Sequence, residues 1–140
     1  MKLTVIILAL FIAGCASRPF TVALFRNDST SNIEERYAVD QDAVGTKTVK
    51  MQVDSESTVK KYSIDKLLVT KIGGLLRDST KSLMITDRRD KGKMTSGIAI
   101  DEKNTHQEIT WSEVDPPVLT PAFDSLYHLM LLVERQMVFP

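Results

Sequence analysis

The sequence is poor in cysteine and histidine and has no excess of either charge sign. Cys15 is the only cysteine, so it cannot form a disulfide within the chain, and it is remote in sequence from His106 and His128. A structural zinc site or a Cys-His nucleophilic pair is therefore not expected. Eighteen Lys and Arg residues balance eighteen Asp and Glu residues, so the field that attracts nucleic acid is missing. We expect no metal, no cofactor and no nucleic-acid partner.

Motifs that carry enzyme chemistry are scarce as well. Adjacent carboxylates such as Glu34-Glu35 point to opposite faces of a strand and cannot form an acid–base pair with each other. Gly73-Gly74 lacks the spacing of a phosphate-binding loop. His106 on a strand and His128 on a helix are expected at the surface. We therefore predict a non-enzymatic protein with no catalytic residues, and a hydrolase whose site is assembled from scattered residues is the alternative.

The first fifteen residues have the features of an export signal. After Lys2, an apolar run extends from Leu3 to Ala13 and is interrupted only by Thr4. This run is too short for a stable transmembrane anchor and is typical of a signal peptide. The alternative is a buried helix of a cytosolic domain, with Cys15 as a packing residue.

The end of the apolar run, Ile12-Ala13-Gly14-Cys15, resembles the lipobox of bacterial lipoproteins. The resemblance implies cleavage between Gly14 and Cys15 and lipidation of Cys15. Residues 1–14 would be the signal peptide, and residues 15–19 a lipid anchor with a short tether. Several acyl chains anchor a protein permanently, whereas one is marginal. Ala16 replaces the aspartate that retains lipoproteins in the inner membrane of enteric-type bacteria, which favours the outer membrane.

Residues 20–140 are predicted to form a single α+β domain. Strand-forming or alternating segments are followed by a segment with helical periodicity, then by two more strands and a second helix. The apolar residues on one side of the first helix are predicted to be Ile64, Leu67, Leu68, Ile72, Leu75 and Leu76, and those of the second helix Phe123, Leu126, Tyr127, Met130, Val133 and Met137. Ser63 is the expected cap of the first helix, and Thr120 with Pro121 at its first position is the expected start of the second. The order β-β-β-α-β-β-α predicts an antiparallel sheet of about five strands packed against two helices. The predicted strands are residues 20–26, 33–39, 46–53, 94–101 and 105–111.

A stiff proline loop follows the only tryptophan. If Trp111 is exposed, it forms a protein-binding edge together with Pro116 and Pro117, because rigid aromatic surface loses little entropy on binding. The alternative is a core position for Trp111 under the last helix, which its alternation with Ile109 favours.

Residues 96–135, SGIAIDEKNTHQEITWSEVDPPVLTPAFDSLYHLMLLVER, comprise a strand, a polar turn, a strand ending near an aromatic residue, a proline loop and an amphipathic helix. This order resembles emfourin, a small protein inhibitor of thermolysin-type metalloproteases. The resemblance implies an α+β fold and a secreted metalloprotease as partner. It identifies no inhibitory residue by position.

Together these features predict a bacterial lipoprotein on the outer membrane, facing the periplasm, whose domain binds another protein. A structural or assembly accessory of an envelope complex is the alternative. Neither interpretation requires a catalytic site.

Overall fold

One antiparallel sheet and two helices make up the part of the chain that the computed structural model describes, residues 19–51, 53, 56–79, 94–112 and 120–140. The predicted α+β class is confirmed. Along the chain the elements are β1 Phe20–Asp28, β2 Ile33–Asp40, β3 Val44–Met51, β4 Ser57–Ser63, α1 Lys66–Ser79, β5 Met94–Glu102, β6 Thr105–Ser112 and α2 Pro121–Val138.

The sheet has six strands in the order β4-β3-β2-β1-β5-β6, and β1 lies between β2 and β5. Leu24 of β1 is opposite Tyr37 of β2 on one side and Ile98 of β5 on the other. Opposed residues share a face, so these three side chains form one row of the core. Both helices pack on this face, which we call the helix face.

The helix face carries most of the buried apolar surface. Val22 and Leu24 of β1 are fully buried there, and Ile72 of α1 and Met130 of α2 cover them in the same cluster. Alternation sends the neighbouring residues Ala23 and Phe25 to the other side, which we call the open face. On the open face these two residues form a smaller cluster with Ala99 that contains no helix residue.

The start of α1 differs from the prediction. Ser63 is not the cap, because it is the last residue of β4 and pairs with Val44. Asp65 takes that role instead, with its Oδ1 accepting from the Leu67 amide at 2.8 Å. The helix then continues through Gly73 and Gly74 to Ser79.

The start of α2 agrees with the prediction. Thr120 has extended backbone angles, and its hydroxyl accepts from the Phe123 amide, while Pro121 opens the helix. The apolar stripe of α2 is buried against the sheet through residues Phe123, Leu126, Met130, Val133 and Met137.

One strand was missed. β4 pairs with β3 from Val44↔Ser63 to Lys50↔Ser57 and forms an edge of the sheet. All of its residues are exposed except Tyr62, which is partly buried. A strand that buries almost nothing shows no apolar alternation, so the sequence contains no pattern that reports it.

Candidate interaction surfaces

Two groups of the site residues expected from the sequence lie outside the described residues. They are Gly14 and Cys15 at the expected cleavage and lipidation site, and Pro116 and Pro117 of the proline loop. Their roles therefore stay predictions.

Trp111 occupies the core, which was the alternative interpretation of this residue. Its exposed fraction is 7%. Its ring meets Phe123 and Tyr127 of α2 in edge-to-face geometry, with centroid distances of 5.8 Å and 5.5 Å. Edge-to-face pairs add stability beyond the buried area alone. Trp111 thus joins α2 to β6 and does not present the exposed aromatic edge that the binding hypothesis required.

His106 belongs to a charged corner at the β5–β6 turn. It lies on the open face, opposite Asp101, and its Nδ1 is 2.5 Å from the Asp101 carboxylate. Glu108 lies 3.6 Å from its Nε2. The hydrogen bond with Asp101 raises the pKa of His106 above its usual value. The corner lines a shallow cleft of about 440 Å³ beside Phe20, but the ion pair is solvated and its histidine is an exposed side chain, as expected.

His128 is also exposed and is bound to its own helix. Its Nδ1–H donates to the Asp124 carbonyl at 2.8 Å, while the Ser125 hydroxyl donates to the Pro121 carbonyl at 2.9 Å. Neither side chain is directed at the other. Among the described residues no group of three His, Cys, Asp or Glu side chains is placed to hold a metal ion.

A half-buried ion pair connects α2 to the centre of the sheet. Arg26 of β1 binds Glu134 through both guanidinium nitrogens, and Nη2 donates to Oε2 at 2.9 Å. The hydrogen bond to Glu134 raises the pKa of Arg26. Tyr37 lies nearby, and its burial raises the pKa of its hydroxyl to about 12. This bidentate ion pair positions α2 on the sheet. No sequence pattern links Arg26 to Glu134, because the two residues are far apart along the chain.

An apolar groove opens between the outer surfaces of α1 and α2. It has a volume of about 500 Å³, and its exposed apolar lining residues are Leu67 of α1, Leu132 of α2 and Phe139. Their exposed fractions are 62%, 48% and 77%. Lys71 and Arg135 also line it. Leu67 was expected on the core stripe of α1, and the structure places it on the outside instead.

The edge formed by β4 exposes backbone as well as side chains. Met51 N–H donates to Glu56 C=O, and Ile64 N–H donates to Ala43 C=O, at the two ends of the β3–β4 ladder. In an antiparallel ladder, pairs of residues that exchange backbone hydrogen bonds alternate with pairs that do not. Because Glu56 and Ile64 bond to β3, the even-numbered residues of β4 between them bond to β3 as well. The backbone groups of Val59 and Lys61 consequently point away from β3, at the rim of the described sheet.

The exposed side chains near this edge include apolar and basic residues, beside the acidic Glu56 and the small polar Ser57, Thr58 and Ser63. Val59 is 55% exposed, and Met51 and Val53 at the β3–β4 connection are 48% and 77% exposed. Lys60 and Lys61 are exposed next to Val59. Apolar contact area, cations and outward backbone groups therefore occur together along β4.

No helix in the described part of the chain is long and apolar enough to cross a membrane. No protein-family model matches the chain, and no curated protein is similar enough to count as a relative.

Proposed function

We propose that this chain is a lipid-anchored protein of the bacterial cell envelope whose domain binds an extended segment of another protein along β4. The domain acts by binding and not by catalysis. The observation that carries the binding role is the β4 edge, where outward backbone groups and exposed apolar side chains coincide.

The lipid anchor is supported by residue types in the expected order. A positive residue, an apolar run and the triplet Ala13-Gly14-Cys15 meet the steric and chemical needs of cleavage and thiol acylation. Such an anchor would hold the domain at the outer membrane, facing the periplasm.

The β4 edge suits strand addition. An exposed edge offers a row of donors and acceptors to an incoming extended segment, whose alternate side chains then meet the two faces. Here the incoming segment would meet the N–H and C=O groups of Val59 and Lys61 and the apolar side chain of Val59. Lys60 and Lys61 would favour an acidic segment.

A secreted metalloprotease is the partner that the emfourin resemblance suggests. A protease pairs an extended edge of its cleft with the chain that it binds, and the outward backbone of β4 offers a strand for such pairing, so the chemistry of the edge and the resemblance point in the same direction. The resemblance concerns the order of elements only. Within the described residues, no group of three His, Cys, Asp or Glu side chains is placed to hold a metal ion.

The test replaces the outward amide of Lys61. In Lys61→Pro a docking donor is lost, whereas the β3–β4 ladder keeps its bonds because this amide points away from β3. Lys61→Ala removes the same side chain and keeps the amide, so it is the matched control. We expect Lys61→Pro to weaken partner binding roughly tenfold relative to Lys61→Ala, the effect of losing about one backbone hydrogen bond.

The measurement has two parts. Cross-linking and pull-down of the full-length protein from membranes identifies the partner and compares the two variants. Titration of the protein against several thermolysin-type enzymes should slow at least one of them stoichiometrically. Equal capture by both variants would contradict binding at β4. If the partner that Lys61→Pro fails to capture is a large envelope complex and not a protease, the result would support the assembly alternative.

A further inference from the structure

The first described strand begins beside α1. An added Cβ at Gly73 would lie 3.1 Å from Cε1 of Phe20, so the first residue of β1 and the middle of α1 are in direct contact. If Cys15 is the anchor, only Ala16 to Pro19 separate the lipid from this contact. Four residues extend at most about 14 Å. The surfaces that can reach the membrane are therefore those within about one helix diameter of Phe20.

Among the described residues, Phe20 lines two clefts, one at the end of the sheet and one beside α1, and the charges of these two surfaces differ. The first is the end of the sheet, where the β2–β3 and β5–β6 turns lie on either side of Phe20. Acidic residues outnumber the basic ones in this region: Asp40, Asp42, Asp101 and Glu102 against Lys103 and His106. An anionic membrane repels such an end.

The second surface is the outer side of α1, and it is basic. Three cations are exposed along the helix, Lys66, Lys71 and Arg77, with Asp78 as the one acidic residue within it. Asp65 precedes the helix, and its carboxylate accepts the Leu67 amide. Basic side chains near an anionic leaflet contribute about 1 kcal/mol each.

The same surface carries the apolar groove. Its exposed apolar lining residues are Leu67, Leu132 and Phe139, and its charged lining residues are Lys71 and Arg135 with one carboxylate, Asp65. An apolar strip bordered by Lys and Arg is the composition that lets a helix lie in the interfacial region of a bilayer. Long basic side chains reach the headgroups while their methylenes cover apolar surface.

We propose that the outer surface of α1, with the groove between α1 and α2, rests on the anionic membrane surface. The proposal rests on the lipid anchor of the proposed function. Docking by the helix layer directs the open face of the sheet away from the bilayer, and it leaves the β4 edge accessible to a partner. The anchor supplies attachment, and the α1 surface supplies orientation.

The experiment measures which face contacts lipid. The full-length lipidated protein is labelled with an environment-sensitive fluorophore at Leu132→Cys, in the groove, or at Val59→Cys, on the open face. These two side chains are similarly exposed, 48% and 55%, so they form a matched pair. Each protein is reconstituted into vesicles of phosphatidylethanolamine and phosphatidylglycerol that contain brominated lipid.

We expect lipid quenching of the label at position 132 and little quenching at position 59. Lys71→Glu should lower the ratio of docked to undocked protein at least roughly fivefold, the equivalent of about 1 kcal/mol for one cation. Replacing phosphatidylglycerol by phosphatidylcholine, at the same content of brominated lipid, should also reduce quenching at position 132. Lys50→Glu, on the open face of β3, is the control substitution and should leave the quenching at position 132 unchanged.

Flotation of the vesicles separates the two proposals. Equal quenching at both positions, or stronger quenching at position 59, in protein that floats with the vesicles overturns the orientation and leaves the anchor standing. If the label at position 132 is not quenched by lipid but its fluorescence changes when the partner is captured, the groove binds protein, and the proposed orientation is overturned as well. Protein that carries no acyl group and fails to float contradicts the anchor, and the orientation fails with it.

Discussion

Gly97 occupies a position with no room for a side chain. An added Cβ would lie 2.2 Å from Cζ of Phe25 and 2.8 Å from the backbone oxygen of Ile109. The phenyl ring could turn aside, but the backbone oxygen belongs to the neighbouring strand of the ladder and cannot. Phe25 lies over this glycine on the open face, with the Arg36 guanidinium 5.9 Å from its ring centre. The missing side chain of Gly97 is thus what allows an aromatic ring to lie flat on the sheet.

We therefore expect Gly97→Ala to lower the free energy of unfolding by about 1–3 kcal/mol through overpacking. Gly74→Ala is the contrasting control, because the nearest atom to its added Cβ is the Arg77 Nη2 at 3.9 Å. That substitution should raise the free energy of unfolding by about 0.5–1 kcal/mol, since alanine is the better helix former. Urea unfolding measures both. Destabilisation of equal size by the two changes would contradict this account of the open face.

At the scale of elements, both the start of α2 and its buried side are determined by residues within or next to the helix itself. Thr120 and Pro121 specify where it begins, and five residues at helical spacing specify which side is buried. That is why its start and its stripe could be predicted. The first helix shows the limit of the same reasoning. Ser63 and Asp65 are both good capping residues, and the pairing of Ser63 with Val44 decides between them.

The cap of α2 leads to a measurable expectation. Thr120→Ala removes the hydroxyl that accepts the Phe123 amide at 3.3 Å, and it should cost about 1 kcal/mol of stability. Ser125→Ala is the control, because this exposed hydroxyl only donates to the Pro121 carbonyl of its own helix. Its removal should change stability by less than about 0.5 kcal/mol. Thermal unfolding of the two variants checks the difference, and a larger loss in Ser125→Ala would refute the assignment.

The missed strand and the misplaced leucine have a common physical origin. Apolar periodicity reports burial, and β4 buries almost nothing, so only its pairing with β3 defines it. Leu67 fits the apolar stripe of α1 by spacing, yet it is 62% exposed because it lies at the margin of that stripe, at the mouth of the groove, while its neighbour Leu68 is buried. Apolar periodicity therefore cannot locate exposed features such as β4 and Leu67.

At the scale of the whole molecule, the two helices lie on one face of the sheet and leave the two faces chemically different. The helix layer is apolar inside, and its α1 side is basic outside. The open face has small side chains at its centre, Ala23 and Ala99, with charged residues around them. Neither arrangement could be read from the sequence, because each combines residues from elements that are distant along the chain. The expected site residues were local motifs, and of these the structure describes only Trp111.

The proposed lipid anchor makes a whole-molecule prediction. Cys15→Ala should abolish acyl labelling and signal cleavage at this position, because the proposal makes its thiol the acceptor of the lipid. Ala16→Asp keeps the thiol and should keep the labelling, while moving the protein from the outer to the inner membrane fraction of an enteric host. Labelling with a fatty-acid probe and membrane fractionation measure the two effects. Labelling that persists in Cys15→Ala would contradict the lipobox assignment.

The exposed β4 edge also bears on self-association. Proteins anchored in one leaflet meet far more often than they do in solution, so an open strand invites pairing between copies. Lys60 and Lys61 project to opposite faces of β4, and two copies joined along this edge would bring lysines close together on both faces at once. Like charges opposed across a strand pair are destabilising. In the anchored protein that we propose, the two lysines would discourage copies from pairing along β4 in the plane of the membrane, and the same edge would stay available to an acidic partner.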